Sequence, residues 1–291
     1  MNRIRSIDAL RLVLAFCVCV IAYGLPIEYG EYARYVCGFA TITYFILCGY
    51  LVTRESPHFE ARTKSAIKRT AITFAVLAVI YFAINFILAK KFGGSIMPSS
   101  PRRALFKFIF FNEWPFPIGQ TVWFVQCLLY GYIAMYILYK TGLLKYDVII
   151  FIVCMVINVL TGELAAVIGF SPFGIAYIPA TVITRSLPYL LLGRFICRWV
   201  HFLEKIPKFT YFIICISGVA ATLCEVIILE YYGKLLYTGH FIGNGILAAA
   251  LVSIATVMPW LGKTSVTPYA SVLARVVYYL HDPVGQVAYF I

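Results

Sequence analysis

Nine apolar runs of about 16–25 residues, each closed by charges, glycine or proline, take up most of this 291-residue chain. They fall at about 7–25, 34–53, 68–89, 119–140, 146–161, 173–194, 210–230, 240–261 and 267–291. About 20 helical residues cross the roughly 30 Å of hydrocarbon in a bilayer. The runs are continuous and do not alternate, which suits helices and not barrel strands. Composition agrees: 62% of residues are hydrophobic and 12% charged, against about 45–50% and 25% in soluble domains. The expected fold is therefore all-α, a polytopic transmembrane bundle of nine or ten helices forming one domain over 1–291. A tenth element would come from 90–118, where GGSIMPSSPRR precedes ALFKFIFFNEWPFP, a pattern for a short amphipathic or re-entrant helix. A cytosolic or nuclear enzyme, a secreted disulfide scaffold and a disordered chain are excluded.

The formal charge is +12, from 24 Lys and Arg against 12 Asp and Glu. In a membrane protein such an excess sets orientation and meets anionic lipid, so no nucleic-acid partner is expected. With the N-terminus inside, fifteen cations fall in inner segments and seven in outer ones, leaving Arg185 and Arg275 within spans. That split predicts a multi-pass protein of the inner (plasma) membrane with a cytoplasmic N-terminus. The basic start MNRIR lacks a small-residue cleavage pattern after its apolar run, so it reads as a retained first helix. The nine cysteines are an odd number without a CxxC pair or zinc-type spacing, so neither disulfides nor a metal is expected.

Polar residues inside apolar runs carry the chemistry. Arg185 sits mid-span, where a charge costs about 2.5–3.5 kcal/mol on insertion scales. It either pairs with a carboxylate such as Glu225 or serves an internal polar site, and Pro188 behind it frees a backbone carbonyl. Asp8 and Arg11 share a face at i, i+3, and eleven residues further the helix returns to that face at Ala22. In VVYYLHDPV, His281 adjoins Asp282 with Tyr278 and Tyr279 close by, a setting for proton transfer or for a satisfied core histidine. Trp123 opens WFVQCLLY with Gln120, Cys127 and Tyr130 on its face, suiting either an interfacial belt or a lined path. The loop 54–69 holds Arg54, Arg62, Lys64, Lys68 and Arg69 against Glu55 and Glu60. It would anchor topology or bind a polyphosphate.

Read in order, RSIDALRLVLAFCVCV, TYFILCGYLVTRE, TVWFVQCLL, SLPYLLLGR and ARVVYYLHDPV resemble the acyltransferase-3 family of integral membrane acyltransferases, over the whole chain. The resemblance implies transfer of an acyl group, most often acetyl, from a cytoplasmic coenzyme A thioester to a hydroxyl of a cell-envelope carbohydrate or its lipid-linked precursor. It also implies a first-helix Arg followed after ten residues by a catalytic His. Arg11 matches the first of these, but Ala22 stands at the second. An imidazole can take a hydroxyl proton at neutral pH or carry an acyl group, and a methyl group can do neither. The intact pattern elsewhere favours a substituted, nearly inactive form over a natural degenerate member. The family also continues beyond its last motif, whereas this chain stops ten residues after His281.

The reading is a membrane O-acyltransferase that modifies envelope polysaccharide, with acetyl-CoA as donor substrate. Catalysis would fall to position 22, Arg11 and His281; Lys64, Lys68, Arg69 and Arg185 would bind the donor. Trp123, Gln120, Tyr279 and Glu225 would line the path, and the partners are acyl-coenzyme A, a glycan or lipid-linked glycan, and membrane lipid. Two alternatives remain at this stage. One is a pseudoenzyme or sensor that holds coenzyme A, and the other is a transporter or flippase of an anionic solute or lipid-linked glycan, although the inverted repeats of transporters are not evident.

Overall fold

The computed structural model describes residues 4–54, 58–92, 100–116, 119, 121–161, 167, 181–235, 241–263 and 267–290. Among them are helices and no strand. The chain runs through α1 (Arg5–Tyr23), α2 (Gly30–Cys37), α3 (Phe39–Thr53), α4 (Phe59–Phe92), α5 (Pro101–Phe111), α6 (Val122–Lys140) and α7 (Asp147–Thr161). It continues through α8 (Leu187–Arg198), α9 (Val200–Leu203), α10 (Lys208–Tyr231), α11 (Ile242–Val257) and α12 (Thr267–Phe290). Six helical stretches are long and apolar enough to cross a membrane: Arg5–Tyr23, Gly30–Thr53, Phe59–Lys91, Val122–Lys140, Leu143–Thr161 and Lys208–Tyr231. Six among the described residues is fewer than the nine or ten expected. Part of the difference is that α11 is a shorter apolar helix and that the expected span 173–194 is described only from 181.

The outward surfaces explain the composition. Exposed Ile72, Val76 and Val79 on α4, Ile149, Ile152 and Val156 on α7, and Phe209 and Ile216 on α10 form apolar faces that water would not tolerate and lipid would. The inner core is built from Leu14 of α1, Ile42, Phe45 and Ile46 of α3, Val122 and Met135 of α6, and Leu190 of α8. Helices cannot be held together by apolarity alone in lipid, so close backbone approach has to do it. A side-chain carbon at Gly49 would lie 2.0 Å from the Leu190 carbonyl oxygen, and one at Gly193 would lie 2.0 Å from that of Ile46. Glycine at both positions lets α3 and α8 touch backbone to backbone.

α4 has 34 residues, about 51 Å at 1.5 Å per residue. Its first residues belong to the stretch 54–69 that reads as a loop from the sequence. No glycine or proline interrupts 59–92, so one helix carries the basic cluster and the apolar span together. α5 is the helix expected in 90–118. It exposes Leu105, Phe106, Ile109 and Phe110 and ends at Asn112, whose φ of 52° is the left-handed stop of a helix C-terminus. α12 packs along α1 in the same direction: Gly262, just before it, abuts Arg5 and Ser6, while Gly285 abuts Tyr23.

Ahead of α8, Val182–Ser186 form one π-helical turn. Thr181 caps it, its hydroxyl accepting from the Thr184 backbone N–H at 3.2 Å and the Thr184 hydroxyl accepting from the Thr181 N–H at 3.0 Å. Pro188 lacks the N–H that would continue the ladder, and a local π turn is one way in which membrane helices re-satisfy the backbone groups a proline frees. Asp147 opens α7, accepts from Arg194 Nε at 3.1 Å and from Arg198 Nη1 at 2.8 Å, and ties α7 to α8.

Candidate active site

A cavity of about 590 Å³ opens where the start of α1, the end of α3 and the first turns of α4 meet. Asp8, Arg11, Arg54, Arg62 and Arg69 line it, with Thr70 and Tyr132. Among the described residues that line it are thus four arginines and one carboxylate, and Asp8 pairs with Arg11 at 3.3 Å. Tyr44 donates to the Arg11 carbonyl at 3.0 Å, fixing α3 against this turn of α1. Arg62 Nη1 donates to the Leu51 carbonyl at 3.0 Å, which aims its guanidinium across the mouth. Apolar Ile4, Ile7 and Val52 form the floor. A cationic pocket of this size with an apolar floor suits a ligand that is polyanionic at one end and uncharged at the other.

Lys64 and Lys68 do not line this pocket. Lys64 binds Glu60 at 2.9 Å, and Glu60 is shared with Lys140 at 2.8 Å; both ammonium groups lie over the Tyr136 ring, at 5.6 and 5.8 Å from its centroid. Lys68 is exposed. Of the three α4 cations named as donor ligands, the structure brings only Arg69 to the cavity, in company with Arg54 and Arg62.

A second polar cluster sits where the end of α1 meets α12, α4 and the chain before α6. The Tyr23 hydroxyl donates to the His281 carbonyl, and its ring meets the imidazole edge to face at 6.5 Å. His281 Nδ1 lies 2.8 Å from the Tyr278 carbonyl. A carbonyl only accepts, so Nδ1 carries the proton, and in a neutral ring Nε2 then keeps its lone pair. Tyr81 donates to the Tyr279 carbonyl at 2.7 Å and pairs with the Thr121 hydroxyl at 2.9 Å. The buried Asp282 carboxylate accepts from the Gly119 N–H at 2.8 Å. Gly119 has φ of +111°, and a side-chain carbon there would fall 2.7 Å from Trp114 Nε1, so only glycine lets this loop reach Asp282.

Ala22 belongs to the stripe that begins with Asp8 and Arg11, yet it is exposed, whereas Ala15 and Val18 below it are buried. It is the penultimate residue of α1, which stops at Gly24 with φ of 71°, so the position opens at the end of the helix and not deep within the bundle. Arg185 is 8% exposed and lies over the Trp123 ring at 5.2 Å. Glu225 is placed elsewhere: its two oxygens accept from the backbone N–H groups of Ile242 and Gly243 at 2.9 Å each, capping α11. Gln120 lies outside the described residues. Among those residues no group of three or more His, Cys, Asp or Glu is placed to hold a metal.

A family model described as an acyltransferase domain, that of the acyltransferase-3 family, matches residues 4–290. The match takes in essentially the whole chain, and this protein belongs to that family of membrane acyltransferases. Comparison with curated proteins and with solved structures gives no significant match.

Proposed function

We propose that the protein is an O-acyltransferase of the plasma membrane, N-terminus inside, that binds acyl-coenzyme A at the arginine cavity and delivers the acyl group to a hydroxyl of an envelope glycan or its lipid-linked precursor. The convergence of Arg11, Arg54, Arg62 and Arg69 on one cavity carries the reading, because guanidinium forks match phosphate oxygens. The donor's phosphates would occupy the mouth. Its uncharged pantetheine arm would extend along α1 and α4 toward His281.

In the transfer a base takes the proton of the acceptor hydroxyl as its oxygen bonds to the thioester carbon. The C–S bond then breaks, and the thiolate leaves as the coenzyme A thiol once protonated. The resemblance assigns the base to position 22, and a methyl group cannot fill the role. His281 stands at the same end of α1, held through Tyr23 and Tyr278 with Nε2 available, and it would orient the acceptor. Arg185, Trp123 and Tyr279 would serve the path between.

The test compares the chain as given with Ala22→His, following labelled acetyl from acetyl-coenzyme A into glycan. The substitution is expected to raise transfer by about 10²–10⁴-fold, the usual reach of general acid–base assistance. If Ala22→His binds donor normally and transfers no more than the parent, position 22 is not the base site and the protein is a coenzyme A-binding pseudoenzyme.

A further inference from the structure

A second cavity, about 850 Å³, lies between α4 and α12. Leu77, Ile80 and Ile84 form one wall, Val272, Val276 and Leu280 the other. Tyr81 and Tyr279 close its inner side, joined by the Tyr81 hydrogen bond to the Tyr279 carbonyl. Its position on α4 is informative. Arg62, Ala66, Arg69, Thr73, Leu77, Ile80 and Ile84 follow one another at three- and four-residue intervals, which is one face of a helix. The same face therefore lines the arginine cavity at its start and the apolar groove further on, about 10 Å apart from Thr70 to Leu77 by helical rise.

Among the described residues that line the groove, Arg275 is the one that carries a charge. Its Nε donates to the Ser271 carbonyl at 3.1 Å, one turn back toward the start of α12. Because α12 runs alongside α1, with Gly262 beside Arg5, that direction leads toward the arginine cavity. The cation is thus held at the polar end, and aliphatic side chains with the Tyr81 and Tyr279 rings make up the rest of the described lining.

We infer that the groove is the acyl-chain site of the donor, so that the transferred group is a medium or long acyl chain, longer than acetyl. The inference rests on the donor reading of the arginine cavity and names the substrate class within it. With the donor's arm running from the arginines toward His281, an acyl chain leaving the thioester there would meet Leu280, which lines the groove, and lie along Ile84 to Leu77.

The test is displacement of labelled coenzyme A from the full-length protein by unlabelled coenzyme A and by its acetyl, octanoyl and palmitoyl thioesters. A fully buried methylene tightens binding roughly fourfold, and in a groove open on one side about half that effect is expected. Six additional methylenes, at about twofold each, should make octanoyl roughly 60-fold tighter than acetyl. Ile80→Trp, which fills the groove without touching the arginine cavity, should cut that advantage to about threefold or less while acetyl binding stays unchanged. Leu280→Phe is the second variant should Ile80→Trp fail to fold. Equal affinity of octanoyl and acetyl would overturn the inference and leave the donor reading standing. So would an octanoyl advantage that both variants retain, since partition into detergent would then explain it. Absence of any coenzyme A binding would remove the donor reading and this inference together.

Discussion

Replacing Arg62 and Arg69 together by alanine asks whether the cavity at the start of α1 holds phosphate. The two guanidinium groups contribute unequally. Arg62 is half-buried and gives one N–H to the Leu51 carbonyl, so its guanidinium is held in place and little side-chain freedom is lost on binding. Arg69 is exposed and its attraction is screened by water. A hydrogen bond to a charged group is worth about 1.5–3 kcal/mol when sheltered, and an exposed ion pair about 0–1 kcal/mol. The pair together should cost about 1.5–4 kcal/mol, or roughly 10- to 900-fold in acetyl-coenzyme A affinity at low salt. Calorimetry or displacement binding in detergent would read it, with near-unchanged Tm showing an intact fold. The salt slope should flatten in the variant, because fewer charge contacts remain to be screened. Lys64→Ala with Lys68→Ala is the matched control, removing equal charge from the part of α4 that does not line the cavity, and should change affinity less than about threefold. If both double variants weaken binding equally, net surface charge and not the cavity attracts the donor. If neither does, the donor site lies elsewhere.

Gly193→Ala should destabilise the folded protein by more than an ordinary overpacking cost of about 1–3 kcal/mol, because the new carbon meets the Ile46 backbone, which cannot rotate away; thermal unfolding checks it, and an unchanged Tm would show that α3 and α8 are not in backbone contact. For orientation, a cysteine introduced at position 62 should be reached by an impermeant thiol reagent from the cytoplasmic side only. Labelling of that site from outside intact cells would invert the topology and remove the donor from the arginine cavity.

What the sequence settles by itself is the solvent and the class of architecture. Runs of about 20 apolar residues have no soluble solution, so helices crossing a bilayer follow from length and hydropathy, and α1, α4, α6, α7 and α10 occur close to where the runs lie. The ion pair of Asp8 with Arg11 follows from i, i+3 spacing, and the neighbourhood of Tyr278 and His281 is equally local. The choice among the cations of 54–69 was legible only in part. Arg62 and Arg69 are seven residues apart and share a face, while Lys64 and Lys68 turn to the other side, but this holds only if one helix runs unbroken from 59. The start of the apolar run, at 68, conceals that continuity, because polar residues at a helix end resemble a loop in a hydropathy reading. Tertiary structure alone decided the rest. Arg54 reaches the cavity from α3, Glu225 caps a helix instead of pairing with Arg185, Gly119 delivers its N–H to Asp282 across 163 residues, and Ala22 opens at a helix end. Each depends on which helix neighbours which, and in lipid that is set by backbone fit at glycines such as Gly49 and Gly193, about which the apolar pattern carries no information.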